Sequence, residues 1–183
     1  MTAHSLPNTE IHTQDLRLVA ASQAMLEAEL GADAGSRLET LVGATRPPSW
    51  PPELFERDDI ERLLAQSRKP GHEGWGLWYL VRRACDASGD RLVGTAGFAG
   101  PPDDKGNVMI GYSVVAEARR QGLASQATAA LVDHAFGDPR TQKVSAETFA
   151  ELIPSIRVLE KCGFRPSDEA PETEGAIRFV LFR

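Results

Sequence analysis

Arg119-Arg120-Gln121-Gly122-Leu123-Ala124 is the stretch whose residue types and spacing could do chemistry together. Val108 to Val115, before it, is apolar and β-branched, as a buried strand is. After it, Ala124, Ala127, Thr128, Leu131, Val132, Ala135 and Phe136 recur at helical spacing, and Gly137-Asp138-Pro139 stops the helix. The turn therefore falls between a strand's carboxyl end and a helix's amino end. The first amides of a helix lack partners within it, and their dipoles sum to a partial positive charge. Gly122 has no side chain to hold a ligand off the backbone, Ala124 is nearly as small, and two guanidinium groups stand beside them. Such a turn suits a phosphate or a diphosphate. The triphosphate loop Gly-x-x-x-x-Gly-Lys-Ser/Thr and the dinucleotide fingerprint Gly-x-Gly-x-x-Gly are both missing from the chain. Alone, Arg-x-x-Gly-x-Ala also fits an ordinary solvated helix start.

The surroundings give the turn meaning. A further strand, Lys143 to Phe149, follows the helix, and then comes Pro154-Ser155-Ile156-Arg157-Val158-Leu159-Glu160-Lys161-Cys162-Gly163-Phe164. This arrangement resembles the GNAT superfamily of acyl-CoA-dependent N-acyltransferases, and within it the RimJ/RimL-like branch. The resemblance runs from the Trp75 strand to the end of the chain and is most specific between Val108 and Phe164. It implies an α+β, three-layer fold around a mixed, mostly antiparallel sheet, with a parallel pair of strands that splay apart at the acyl-CoA site. It implies acetyl-CoA as cosubstrate, with the diphosphate on the turn formed by Arg119, Arg120, Gln121, Gly122, Leu123, Ala124 and Ser125. Pantetheine would bond backbone groups of Val114 and Val115, and the acceptor would be a primary amine attacking directly in a ternary complex.

Acyl transfer from a thioester to an amine requires loss of the amine proton, donors for the oxyanion, and stabilisation of the thiolate. Many members of the family place a Tyr on the helix before the Gly-Phe pair, where this chain has Leu159. Ser155 matches the Ser that RimL-like members set near the sulfur, and it also suits a helix cap behind Pro154. RimJ/RimL-like sequences often carry Glu just before Ile-Gly-Tyr; here that residue is Met109, which accepts no proton at neutral pH. Glu147, on a strand face shared with Ser145 and Phe149, is the nearest carboxylate to replace it, or else a structural partner for an arginine. Tyr112 is a further candidate, lining the acceptor side, and Trp75, Trp78 and Phe98 would serve there as an apolar wall or else as core. A protein α-amine, with a pKa of ~7.7–8, is partly neutral without any base. Cys162 ends a helix, where the dipole disfavours a thiolate, so a buried hydrophobe is its expected role.

Positioning these groups takes one domain spanning residues 1–183, with about seven strands. Residues 1–14 read as a loose polar arm, and Leu16-Arg17-Leu18-Val19-Ala20 as the first strand. Helices follow at Ser22 to Leu30, Ser36 to Val42 and Asp58 to Arg68, the last after the stiff Arg46-Pro47-Pro48-Ser49-Trp50-Pro51-Pro52 connector, where Trp50 plugs the core edge or else contacts substrate. Trp75 to Arg82 and Arg91 to Phe98 form a hairpin turning at Asp86-Ala87-Ser88-Gly89-Asp90, and Phe164-Arg165 and Ala176 to Phe182 close the sheet. The net charge of −6 argues against a nucleic-acid partner, and no stretch suits a membrane span or a secretory signal. Two cysteines and four scattered histidines suggest no disulfide framework and no metal, and point to the cytoplasm. Oligomeric state is open, homodimers being frequent in the family. Met109 and Leu159 also leave open a module that holds CoA without turning it over, and a purely structural protein of the same fold.

Overall fold

Eight strands are needed to carry the turn, and the computed structural model, which describes residues 9–31, 34–53, 56–84 and 89–183, shows them in one sheet. In chain order they are β1 (Glu10–His12), β2 (Leu16–Ala20), β3 (Leu77–Arg82), β4 (Arg91–Phe98), β5 (Asn107–Val114), β6 (Lys143–Thr148), β7 (Arg165–Pro166) and β8 (Ile177–Phe182). Spatially the order is β1-β2-β3-β4-β5-β6-β8-β7. The β5–β6 pair is parallel and the other pairs are antiparallel. The helices are α1 (Gln23–Leu30), α2 (Ala34–Val42), α3 (Arg57–Ser67), α4 (Leu123–Gly137) and α5 (Ile153–Lys161). Asp86, Ala87 and Ser88 of the expected hairpin turn, together with Cys85, lie outside the described residues.

The expected loose arm is corrected in part. Residues 9–14 are described, and Glu10, Ile11 and His12 pair with Val19, Leu18 and Arg17 as an edge strand. That segment is three residues long with Ile11 its single apolar residue, so only the pairing across the sheet marks it as a strand. Just beyond it, Thr13 Oγ1 donates to Gln126 Oε1 on α4 at 2.9 Å, and Gln126 Nε2 donates to Asp15 Oδ2 at 2.7 Å.

Alternation divides the sheet into two packed faces. Val108, Ile110 and Val114 of β5 join Trp78, Leu80, Leu123, Ala127, Leu131 and Leu159 in a core under α4 and α5. Val19, Leu77, Tyr79 and Val81 face the other way and pack with Leu26, Leu38 and Ile60 of α1, α2 and α3. Leu131 is fully buried on α4, where truncation to Ala costs about 2–5 kcal/mol. At the far end of α4, Arg183 donates to the carbonyls of Phe136 at 2.6 Å, Asp138 at 2.7 Å and Thr141 at 3.0 Å. A cation there satisfies carbonyls the helix leaves free.

Candidate acyl-CoA site and acceptor cleft

β5 ends in a short 3-10 turn, Ala116–Ala118, and the chain then bends twice before α4. Arg120 has φ 60° and Gly122 has φ 77°, both left-handed. For Gly122 that conformation, rather than crowding, demands glycine: an added Cβ would meet no atom within 4 Å and would project into open space. Leu123 is buried and pins the bend to the core, and Ala124 packs against it. Among the described residues, no protein acceptor takes the amides of Gly122, Leu123, Ala124 and Ser125. Four aligned donors at the positive end of a 15-residue helix form an anion cradle. Arg120 is exposed beside it. Arg119 is not a free cation: its Nε donates to the Val114 carbonyl at 2.9 Å, and its guanidinium meets Glu53 Oε2 at 2.7 Å. Gln121 is likewise engaged, donating to the Glu117 carbonyl at 3.1 Å and accepting from Arg82.

The groove leading to the cradle is a gap in the sheet. β5 and β6 pair from Asn107–Lys143 to Ile110–Ala146 and no further, although both strands continue. Val115 N–H donates to Val93 and the Met109 carbonyl accepts from Ala99, so odd-numbered residues bond β4. Tyr112 and Val114 therefore face the unpaired side, with the Val114 carbonyl already accepting from Arg119 Nε at 2.9 Å. Val115 is corrected as a pantetheine contact, since its N–H bonds Val93 and its carbonyl accepts from Ala118 N. On the unpaired side the Tyr112 backbone stands in register with Val114 instead.

Two of the expected catalytic residues come together across this gap. Tyr112 Oη lies 3.1 Å from Ser155 Oγ and donates to the Ser155 carbonyl at 3.1 Å, in the first turn of α5. Burial pushes the Tyr112 phenol up to about 12, so it remains a donor at neutral pH. The Tyr112 ring reaches α5, because alternation directs it with Ile110 and Val114 toward α4 and α5, although the residue also borders the cleft on the other face. Leu159, where relatives carry a phenol, is buried core. Burial also raises the Cys162 thiol, which donates to the Ser125 carbonyl at 3.5 Å.

Glu147 is placed otherwise. Its Oε1 accepts from Arg178 at 2.6 Å and from the Glu172 amide at 2.7 Å, and its Oε2 accepts from the Thr173 amide at 3.0 Å. Burial raises its pKa, but the Glu172 amide, Arg178 and Thr173 outweigh it and hold the carboxyl down at about 2. A carboxylate so claimed is a poor proton acceptor, and this geometry fits the structural-partner reading. Its side chain and that of Arg178 are 8% and 9% exposed, so neither is solvated enough to substitute water for its partner.

On the opposite face of β5, α3 and strands β4 and β5 enclose a cleft of about 480 Å³. Met109, Gly111 and Ser113 line it, with Leu77 and Thr95 across the sheet and Leu63 from α3. Over its edge, the Ser49–Glu53 segment is tied down at four points. Ser49 donates to Glu117 at 2.6 Å, Trp50 Nε1 donates to Glu29 at 3.1 Å, Ser113 donates to the Glu53 carbonyl at 2.7 Å, and Arg119 meets the Glu53 carboxylate. Phe98 is on its lining, and Trp75 and Trp78 are not. All three are core residues, gathered around His134 of α4 at ring separations of 5.3–5.9 Å.

A family model of the acetyltransferase (GNAT) domain matches residues 33–165, well over half of the chain. The chain belongs to the GNAT acetyltransferase family. It is therefore an acyltransferase enzyme. A relative named uncharacterized N-acetyltransferase YjdG, from Bacillus subtilis (strain 168), is 26% identical over 155 residues, 84% of this chain and 88% of its own. Among solved structures, an acetyltransferase from Agrobacterium tumefaciens str. C58 superposes with a TM-score of 0.63 at 18% identity, covering 100% of this chain and 98% of its own. RimJ of Mycobacterium smegmatis in complex with CoA-disulfide does so with 0.62 at 17% identity, covering 96% and 88%. At such identities the likeness is one of GNAT fold.

Sequence reasoning missed the Tyr112–Ser155 contact and the tie between Arg119 and Glu53. The first had a signal, since strand alternation aims Tyr112 at the helix carrying Ser155. The second had none, because Glu53 lies 66 positions from Arg119. Among the described residues no His, Cys, Asp or Glu group is arranged to hold a metal, and no helix is long and apolar enough to cross a membrane.

Proposed function

We propose that this GNAT enzyme transfers the acetyl group of acetyl-CoA to a primary amine by direct attack in a ternary complex. The observation that carries it is the end of β5–β6 pairing at Ile110–Ala146, which leaves Tyr112 and Val114 backbone groups facing a gap that leads to the open amides of α4. Acetyl-CoA supplies an activated thioester, and the remaining work falls to the chain. The amides of Gly122 to Ser125, with Arg120, hold the diphosphate. The Tyr112 and Val114 backbone aligns the pantetheine arm as a sheet strand would. The Ser155 hydroxyl, held in place by Tyr112 at the positive end of α5, donates to the sulfur as the C–S bond breaks and the electron pair moves to it. The proton lost by the amine passes to water in the cleft, since Met109 accepts none. We assign the enzyme to the RimJ/RimL-like branch on the Ile110-Gly111-Tyr112 strand and Ser155, read it as one domain acting in the cytoplasm, and leave homodimerisation to sedimentation.

Thiol release from acetyl-CoA that depends on added amine tests this reading. A panel of amines, amino acids and peptide N-termini giving no release above background hydrolysis would end it. Tight acetyl-CoA binding in the same samples would then favour a CoA-holding module, which Leu159 in place of a phenol motivates.

A further inference from the structure

The acceptor cleft differs from the cradle in having an apolar floor and no unpaired charge among the described residues that line it. Asp59 and Arg62 supply its charges, and they are closed on each other, Asp59 also accepting from the Glu56 amide at 3.1 Å. The polar groups nearest the sheet gap are taken as well: Ser113 by the Glu53 carbonyl, Tyr112 by Ser155. Leu63, Leu77 and Met109 form the apolar lining. Between them, Gly97 and Gly111 are paired across β4 and β5; the place of a Gly97 side chain is filled by the Gly76 and Leu77 backbone, whereas that of Gly111 is bare. Gly111 is exposed although it lies on an interior strand, and a Cβ added there would enter open space.

We propose that this cleft selects amines carried beside an apolar group, with Gly111 providing the room and Met109 and Leu63 the apolar contact. The proposal deepens, and rests on, the acyl-transfer reading above. An apolar group on the acceptor covers Leu63, Leu77 and Met109 and removes their surface from water. A second cation on the acceptor would be desolvated against that lining with no free carboxylate to receive it. Polyamines and lysine-like acceptors are therefore disfavoured by the same residues that favour leucine-like or phenylalanine-like ones. The source can be a free amine or the first residue of a peptide; the chemistry recognised is shared.

Steady-state rates on amino-acid amides, whose amine acidities are similar, provide the test. Leucinamide and phenylalaninamide should exceed glycinamide and lysinamide at least tenfold in kcat/KM. Gly111→Val, a residue suited to a strand, should cut the leucinamide value at least tenfold while acetyl-CoA binding by calorimetry is unchanged. Leu63→Ser, at the half-buried α3 wall, should narrow the leucinamide-to-glycinamide ratio about fivefold without relying on the same substitution site. Equal or faster turnover of lysinamide, or a Gly111→Val enzyme with an unchanged leucinamide KM, overturns the proposal while leaving the acyl-transfer reading intact. Silence of every amine in the presence of bound acetyl-CoA overturns both. A peptide Leu-Gly-Gly faster than leucinamide supports the proposal and names a peptide N-terminus as the source; the reverse order supports it and names a free amine.

Discussion

The Arg119–Ser125 turn and the Glu147–Arg178 pair stand at the carboxyl ends of neighbouring parallel strands, and both are rich in charge. They use it oppositely. At the turn, the amides from Gly122 to Ser125 have no taker among the described residues, and the Glu53 carboxylate sits on Arg119 instead. At the pair, both Glu147 oxygens accept from the protein, and Arg178 meets Glu169 and Glu172 as well. The difference lies in unused hydrogen-bonding capacity rather than in charge, and it is that capacity on which the proposed diphosphate site rests. A saturated carboxylate holds the sheet together; an unsaturated helix start waits for an anion.

Glu147→Gln should strike hardest on the structural side. Its carboxyl is held at about 2 against an ordinary 4.5, which corresponds to about 3 kcal/mol of stability at neutral pH. Because the folded pKa is the lower one, that stability is present above pH 4.5 and is lost as pH falls from there toward 2. Urea unfolding at pH 7 should show the loss, and the mutant's stability should change less than the wild type's over that acid range. The pH profile of turnover should not change; a shifted limb would return Glu147 to the chemistry.

Gly122→Asp comes next. It places a Cβ at φ 77°, a conformation costing about 1–2 kcal/mol for an L-residue, and a negative charge where the diphosphate belongs. Calorimetry should show acetyl-CoA affinity falling about a hundredfold, nearly 3 kcal/mol. Retained affinity would erase the contrast between the two regions. The smallest expected effect belongs to the contact between β5 and α5. Tyr112→Phe keeps the ring but removes the donor, and should lower kcat about tenfold with acetyl-CoA KM nearly unchanged. Ser155→Ala should behave similarly, and the double variant should lose less than the product of the two, since the hydroxyls share one hydrogen bond.

Legibility in the sequence followed the same divide. The cradle could be read because its requirements are local: a glycine with positive φ, a small residue two positions on, a strand before and an amphipathic helix after. The fold was readable through β-branched alternation and helical spacing, with Glu10–His12 the exception, since one isoleucine between two polar residues becomes a strand only through the partner it finds. Glu147 could not be settled from its neighbours, because Arg178 lies 31 positions away and the Glu172 and Thr173 amides are backbone groups with no sequence trace. Val115 was misplaced by one residue. In a strand, a shift of one turns the backbone to the opposite neighbour.

The clamps on α4 carry a kinetic consequence. Its first turn is held by Gln126 through Thr13, 113 positions earlier, and its last by Arg183, 47 positions beyond Phe136. The helix itself can coil within microseconds from nearby residues, but contacts spanning so much chain close slowly. During refolding, helical signal will therefore return before the protein can bind its acyl donor, because a wound helix that is not yet moored aims its amides nowhere in particular.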